Sequence, residues 1–179
     1  MQRRLISGAL ALLFALSMSV LSSAQAQKKQ TFTFIPHADL EALMKTSGDH
    51  PARVIDVEKK MNLGAYLLHF DPRPPNTTLN GWLHNDISEV YYVIRGSGTA
   101  LVGGEMENAT WDDSNSDAIR QVRGPSVNGT MKNYKTVKWT AGDTFIVPAG
   151  VPHSMGFEVT ERSDMLRVVF DPRKNIQLK

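Results

Sequence analysis

The sequence predicts an all-β domain with one short helix near its N-terminus. It contains many short segments that are rich in β-branched and aromatic side chains. Turns containing glycine or proline separate these segments, and only one stretch places its apolar residues at helical spacing. Short strands divided by such turns are typical of a β-sandwich or a β-barrel.

The N-terminal part of the domain is predicted to contain one strand and the helix. Thr and Phe alternate over residues 31–35, which predicts the first strand. Residues 36–45 predict a short helix, because Leu40 and Leu43 fall on one helical face. The Ser-Gly-Asp sequence at residues 47–49 ends this helix.

The remainder of the chain predicts strands and loops without a further helix. Strands are expected at residues 53–57, 65–70, 87–94, 99–102, 134–139, 144–147, 154–160 and 165–170, with a candidate strand at 119–122. The proline-rich residues 71–76 are predicted to be a loop, because proline donates no hydrogen bond to a strand ladder. The polar residues 105–117 are predicted to be a second loop.

Residues 1–26 have the pattern of a secretory signal peptide, and residues 27–179 are predicted to form a single domain. Arg3 and Arg4 precede an apolar run, and residues 24–26 form the small-x-small pattern of a cleavage site. We therefore expect an exported protein, periplasmic or secreted. The alternative is a membrane-anchoring helix, but serines and a glycine dilute the apolar run, which has about the minimum length for spanning a bilayer.

Charge and cysteine content narrow the classes of function. The chain has 20 Lys and Arg against 18 Asp and Glu, and removal of the leader with its two arginines balances the two signs. A near-neutral domain without a sustained basic run gives no electrostatic support for binding nucleic acid or a membrane surface. Cysteine is absent, which excludes disulfides, thiolate catalysis and a cysteine-bound zinc ion. Any metal ion must be held by imidazole and oxygen.

Two histidines and a glutamate stand out among the predicted strands. Glu89 begins an otherwise apolar strand, and a carboxylate there is costly unless it is paired or binds an ion. His84 lies five residues before it, and His153 follows a stiff turn that contains Pro148 and Pro152. If neighbouring antiparallel strands bring the three together, they form a two-histidine, one-carboxylate set that leaves positions open on a metal ion. Alternatively, His84 and Glu89 only pair with each other, and His153 packs within its turn.

Residues 81–96 and 142–153 resemble the two conserved motifs of the cupin superfamily. The second stretch matches closely: glycine, five residues, proline, one residue, glycine, two residues and a histidine. The first matches from His84 through Glu89 to its closing glycine. The resemblance implies a jelly-roll β-barrel that binds a divalent metal ion (Fe, Mn, Zn or Ni) through His84, Glu89 and His153. Because cupins often pair, it also makes a homodimer a candidate assembly.

The chain departs from the usual motifs at two positions. Trp82 stands where the first motif usually has another histidine, and Phe157 stands where the second often ends with asparagine. The resemblance therefore implies three protein ligands instead of four. Asp86 is the first candidate for a substitute ligand, and His69 is the second.

Two functions from different classes fit these residues. One is a metalloenzyme acting on a small polar organic molecule by oxygenase, isomerase, lyase or decarboxylase chemistry, with Tyr91 or Asp86 as candidate acid or base. The other is a non-catalytic barrel that binds or senses a sugar or an aromatic ligand by stacking. The residues predicted to line the pocket are Trp82, Tyr91, Met155 and Phe157.

Overall fold

The computed structural model describes residues 32–179. The predicted signal peptide, residues 1–26, lies outside the described residues, as does residue 31. Residues 32–36 are irregular, so the strand expected over residues 31–35 does not form there. No helix in the described part of the chain is both long and apolar enough to cross a bilayer.

Strands make up most of the described chain. The α-helix α1 spans His37–Leu43, and a π-helix spans Ile119–Arg123. The strands are β1 (Gly48–Val57), β2 (Met61–Phe70), β3 (Asn80–His84), β4 (Ser88–Arg95), β5 (Ser97–Val102), β6 (Glu105–Trp111), β7 (Ser126–Lys132), β8 (Lys135–Thr140), β9 (Thr144–Val147), β10 (His153–Val159) and β11 (Ser163–Asp171). Helix α1 begins after Pro36, whose ring fixes φ at −59°, and is shorter than the predicted residues 36–45.

The strands form two antiparallel sheets. The first sheet has the order β1-β2-β11-β4-β9, and the second has the order β6-β7-β3-β10-β5-β8. From β2 to β5, and again from β8 to β11, each successive strand lies in the opposite sheet. Four strands of each sheet, β2-β11-β4-β9 and β3-β10-β5-β8, therefore form a double-sheet jelly roll, as predicted. Within the described residues the two sheets stay separate and do not close into the expected barrel.

The apolar core lies between the two sheets. Burial alternates along β4, where Glu89, Tyr91 and Val93 are buried and Tyr92 and Ile94 are exposed. The main cluster joins residues of the first sheet (Leu68, Tyr91, Val93, Val147, Met165) to residues of the second (Ala100, Trp139, Met155, Val159). Removal of this apolar surface from water holds the sheets face to face. The indole nitrogen of Trp139 donates to the Met155 carbonyl at 3.1 Å, so its polar atom is also satisfied.

Three strands and the π-helix differ from the sequence-based expectation. Strands β3 and β7 contain glycine and polar residues of low strand propensity, but they pair with each other along their length. Strand β6 occupies the first half of the predicted loop at residues 105–117 and pairs with β7. The strand expected at residues 119–122 is instead the π-helix, which ends at Gly124 with φ of +60°.

The segment between β5 and β8 extends the second sheet beyond β3 and brings two polar residues to the end of that strand. Ser126, the first residue of β7, is the register partner of His84. Arg123, the last residue of the π-helix, packs its guanidinium over the ring of Trp82 at 4.7 Å. This segment between β5 and β8 therefore contributes directly to the surroundings of His84.

Candidate metal centre

Three buried side chains, two imidazoles and a carboxylate, meet between the sheets. His84 ends β3 and His153 begins β10 in the second sheet, and Glu89 is the second residue of β4 in the first sheet. Strands β3 and β10 are neighbours, with His153 paired to Trp82. The exposed fractions of His84, His153 and Glu89 are 5%, 4% and 1%. The structure thus brings together the three residues that the sequence singled out.

The spacing of the donor atoms suits one metal ion. The Nε2 atom of His84 lies 3.4 Å from Glu89 Oε1, and that of His153 lies 3.1 Å from Glu89 Oε2. One donor atom from each of the three residues lies within 4.8 Å of the others. Two ligands bound at about 2.1 Å and separated by an angle of about 90 to 110° lie about 3.0 to 3.4 Å apart. The residues therefore fit a single divalent ion without a change of strand position.

Both imidazoles are held by hydrogen bonds from their other nitrogen. Nδ1 of His153 lies 3.0 Å from the Val151 carbonyl, which only accepts, so this nitrogen carries a proton. Nδ1 of His84 lies 2.7 Å from Ser126 Oγ, whose hydroxyl donates to the Gly124 carbonyl at 2.8 Å. With its hydrogen directed at the Gly124 carbonyl, the Ser126 oxygen accepts from His84 Nδ1, and this tautomer leaves on Nε2 the lone pair that a metal ion needs. Such an arrangement directs each Nε2 atom at Glu89 and resembles the outer hydrogen bonds of metal-bound histidines.

Burial and mutual charge set the protonation of the three groups. Burial lowers the pKa of His84 to about 4, against the attraction of Glu89. Burial also opposes protonation of His153, but its hydrogen bond to Glu89 and the charge of that carboxylate raise the pKa of His153 above the usual value. Burial would raise the pKa of Glu89, but both histidines and a hydrogen bond from Tyr91 lower it. The carboxylate is therefore ionised at neutral pH, and only one of the imidazoles readily takes up a proton.

Tyr91 lies beside the cluster as a hydrogen-bond donor. Its hydroxyl donates to Glu89 Oε2 at 2.7 Å and lies 3.4 Å from Nε2 of His153. Burial and the charge of Glu89 raise the pKa of Tyr91 well above its usual value. The phenol therefore keeps its proton at neutral pH, which suits a donor and not a base.

Arg167 is a second neighbour of Glu89, and the sequence analysis missed it. Its guanidinium is fully buried on β11 and pairs with both Asp49 and Glu89, with 3.0 Å between its Nε and Glu89 Oε1. Neither of those two atoms has a hydrogen-bond partner within the described residues, and Oε1 also lies 3.4 Å from Nε2 of His84. Burial lowers the pKa of Arg167 only to about 9, which leaves it charged. A signal existed in the sequence, since Arg167 alternates with the apolar Met165 and Val169.

The two residues proposed as substitute ligands lie outside the cluster. Asp86 is in the turn between β3 and β4, and its carboxylate faces Arg173 at 3.9 Å. His69 is buried, but its Nδ1 lies 2.7 Å from Asp164 and its Nε2 lies 3.6 Å from Asp71. Within residues 32–179, the group that shares a metal-binding position consists of His84, Glu89 and His153.

A cavity of about 390 Å³ opens onto the cluster. His84, His153 and Tyr91 lie in its wall, together with Trp82 and Met155. Three of the four predicted pocket residues therefore line it. The fourth, Phe157, is not in its wall, and its backbone carbonyl instead accepts from Asn76 at 3.0 Å. The wall also contains three arginines that the sequence analysis did not select: Arg73, Arg123 and Arg167.

The strand order and the position of the three donors decide the type of jelly roll. The second motif supplies the turn before His153, the first supplies His84 and Glu89, and the two meet inside one end of the double sheet. The chain has the cupin fold. Trp82, which stands where the cupin motif usually has its first histidine, lies in the cavity wall, and His84, Glu89 and His153 are the candidate ligands.

Comparison with known proteins gives structural similarity without a family assignment. No protein-family profile and no curated protein matches the chain. Similar solved structures include a Bacillus halodurans protein (12% identity, TM-score 0.44, covering 86% of this chain and 89% of that one). An 11S globulin from Wrightia tinctoria is 18% identical with a TM-score of 0.39, over 62% of this chain and 21% of the globulin. An oxalate decarboxylase variant from Bacillus subtilis is 17% identical with a TM-score of 0.40, over 72% of this chain and 26% of the decarboxylase. The chain thus spans about a fifth of the globulin and a quarter of the decarboxylase.

Proposed function

We propose that this cupin-fold chain is a metalloenzyme that binds one divalent ion (Fe, Mn, Zn or Ni) through His84, Glu89 and His153. It acts on a small polar organic molecule held in the adjoining cavity. One observation carries the proposal. Two imidazole Nε2 atoms, fixed by hydrogen bonds on their opposite sides, point at an ionised carboxylate inside the protein. Such a concentration of lone pairs is unfavourable unless a cation or a proton lies among them.

The neighbouring residues have distinct parts in this function. A bound divalent ion supplies Lewis-acid polarisation of a substrate oxygen. Ser126 and the Val151 carbonyl keep the two imidazoles in the orientation needed for ligation. Arg167 compensates the charge of Glu89, and Tyr91 fixes the other carboxylate oxygen. Of the two candidate acid–base residues, Tyr91 lies in the cavity wall as a hydrogen-bond donor to Glu89, whereas Asp86 faces Arg173.

The structure gives less support to the alternative, a non-catalytic pocket that stacks a sugar or an aromatic ligand. That function depends on aromatic faces directed into the cavity. The ring of Trp82 has the guanidinium of Arg123 packed over it at 4.7 Å, and Phe157 is not in the cavity wall. The enzyme hypothesis therefore fits the wall better than the stacking hypothesis.

Metal titration tests the proposal. We expect the purified protein to take up one equivalent of Mn(II), Fe(II), Ni(II) or Zn(II) in calorimetry, and His153→Ala to lose at least 100-fold in affinity because one of three ligands is removed. His37→Ala is the matched control, because His37 is exposed and pairs with Glu41 at 3.2 Å, far from the cluster in sequence and outside the cavity wall, and it should bind metal like the parent protein. Absence of uptake for all four ions, or equal affinity in His153→Ala, would contradict the proposal.

We also propose that the protein is exported, on the strength of the pattern in residues 1–26. Cell fractionation and N-terminal sequencing provide the test. The expected result is a periplasmic or secreted protein that begins at Gln27. A protein that keeps its first residues and remains in the membrane fraction would support the anchoring alternative.

A further inference from the structure

We infer that the cavity beside the metal centre binds a small organic carboxylate, with Arg73 and Arg123 as the groups that recognise its charge. This inference rests on the proposed function, because it names the class of molecule on which the site acts. It depends on three features of the cavity wall: how each arginine is placed, how little of its charge is compensated, and how small the space is.

Arg73 is placed by a glycine on the strand that carries His153. Its guanidinium donates to the Gly156 carbonyl and lies over the Phe70 ring at 5.2 Å. A Cβ atom at Gly156 would collide with this guanidinium and would also crowd the Phe70 ring, at 3.1 Å. The absent side chain at Gly156 therefore provides the space in which the Arg73 head group rests. The proline-rich loop around it is anchored to β10 by the paired backbone hydrogen bonds of Arg73 and Val159.

Arg123 reaches the cavity wall from the π-helix, whereas Arg73 rests against β10. Its guanidinium lies over Trp82, the residue that replaces the usual first histidine. It is near enough to the cluster that its charge adds to the effect of burial in lowering the pKa of His84. A flat guanidinium in the wall of the cavity suits a carboxylate, because its N–H groups match two oxygen atoms.

The charges of the cavity wall do not cancel. Asp49 is the acidic residue in the wall, and it pairs with Arg167, which also contacts Glu89 behind the wall. In the described part of the chain, the acidic partner of Arg123 is Asp112, at 3.8 Å, beyond hydrogen-bond distance. Within residues 32–179, the Arg73 guanidinium donates its hydrogen bond to a neutral carbonyl. The two arginines therefore retain cationic charge that an anion would neutralise, and a divalent ion would add to it.

The size and donor types of the cavity favour a small carboxylate over a phosphate ester. A volume of about 390 Å³ is near the lower limit of the roughly 300 to 1,000 Å³ found for ligand pockets. Phosphate sites usually combine positive charge with backbone N–H groups at a helix N-terminus or a glycine-rich loop. The cationic groups here are guanidinium side chains on a loop and at the C-terminal end of the π-helix.

Calorimetric titration with succinate and with its neutral diamide, succinamide, tests the inference. We expect the Mn(II)-loaded protein to bind succinate at least tenfold more tightly than succinamide. Arg73→Gln and Arg123→Gln should each weaken succinate binding at least tenfold. Arg120→Gln is the matched control, because Arg120 lies on the same π-helix but pairs with Asp117 at 2.7 Å outside the cavity wall, and its affinity should not change.

Gly156→Ala tests the placement of Arg73 without removal of charge, and we expect it to weaken succinate binding while circular dichroism shows a folded protein. Equal binding of succinate and succinamide, or unchanged affinity in both arginine variants, would overturn the inference. Tighter binding of methyl phosphate than of succinate would overturn the choice of carboxylate. Metal uptake is measured separately in each variant. Metal uptake without charge selectivity refutes only this inference, whereas arginine-dependent succinate binding in a protein that takes up no metal refutes only the metal centre.

Discussion

The hydroxyl of Ser126 favours the tautomer of His84 that carries its hydrogen on Nδ1. It donates its one hydrogen to a backbone carbonyl and accepts from His84 Nδ1 at 2.7 Å. Nε2 of His84 is consequently left with a lone pair. The register pairing of β3 with β7 places this hydroxyl opposite the histidine. A residue of the segment between β5 and β8 therefore completes the candidate metal centre.

We therefore predict that Ser126→Ala weakens metal affinity by about 10- to 100-fold while the protein remains folded. The loss follows because the imidazole can then rotate or take the other tautomer. Calorimetric titration with Zn(II) measures it. Ser97→Ala serves as the control, since that exposed hydroxyl bonds to Thr160 and Glu161, and its metal affinity should equal that of the parent protein. Equal affinities in both variants would show that Ser126 does not orient the ligand.

Metal uptake should release a proton from His153 near neutral pH. Its raised pKa means that the metal-free protein holds a proton on Nε2 facing Glu89, at pH values up to and above the usual histidine pKa of about 6.5. Affinity should therefore fall as pH decreases through this range, because proton and metal compete for the same lone pair. His84, whose pKa is about 4, adds a further loss only in more acidic solution. Calorimetry in buffers of different ionisation enthalpy counts the protons, and affinity that is constant from pH 8 to pH 5 would rule out this competition.

Single residues were predictable from the sequence only where a motif fixes their spacing. His84, Glu89 and His153 have motif positions, and Tyr91 follows Glu89 on the same face of its strand. Arg73, in contrast, reaches the cavity from an irregular loop through contacts with Gly156 and Phe70, which are distant in sequence. A local sequence pattern cannot indicate contacts between residues that are so far apart in the chain.

Two glycines of the motifs occupy turns with nearly the same backbone conformation and different surroundings. Gly96 joins β4 to β5 with φ of +91°, and Gly142 lies between β8 and β9 with φ of +93°. A Cβ atom at Gly96 would collide with Ser163, whose Cα would be 2.7 Å away, whereas the described residues leave open space within 4 Å of a Cβ at Gly142. The first position is restricted by packing as well as by conformation.

This difference predicts unequal costs for the same substitution. Gly142→Ala should lower the free energy of unfolding by about 1 to 3 kcal/mol, through backbone strain alone. Gly96→Ala should lower the free energy of unfolding by at least about 1 kcal/mol more, because the added methyl group displaces Ser163, the residue at which β11 begins. Urea denaturation of both variants gives the comparison. Equal denaturation midpoints and slopes for the two variants would show that the displacement of Ser163 in β11 does not lower the free energy of unfolding.

Elements with strong local patterns were predictable, and those that depend on pairing were not. Eight predicted strands form, because their β-branched and aromatic residues suit a half-buried sheet. Strands β3 and β7 have glycine or polar residues at several positions and become strands through hydrogen bonds to each other. A π-helix stands in place of the strand expected at residues 119–122, and it ends at Gly124, whose φ is positive.

At the scale of the whole molecule, the candidate metal centre joins the two sheets. Glu89 projects from the first sheet, and His84 and His153 project from the second. The jelly roll makes this possible because the chain changes sheet between β3 and β4, and again between β9 and β10. The resemblance of the two motifs to those of cupins implied this jelly-roll architecture. It could not predict that the sheets remain separate, since closure depends on hydrogen bonds between distant edges.

X-ray absorption spectroscopy of the protein loaded with one equivalent of Zn(II) tests the central claim most directly. The predicted spectrum has nitrogen and oxygen neighbours at about 2.0 to 2.1 Å, with outer scattering from two imidazole rings. In His153→Ala the outer scattering should fall to that of one ring or disappear with the metal. A spectrum without imidazole scattering, or one that is identical in the parent protein and in His153→Ala, would contradict the assignment of these three residues as ligands.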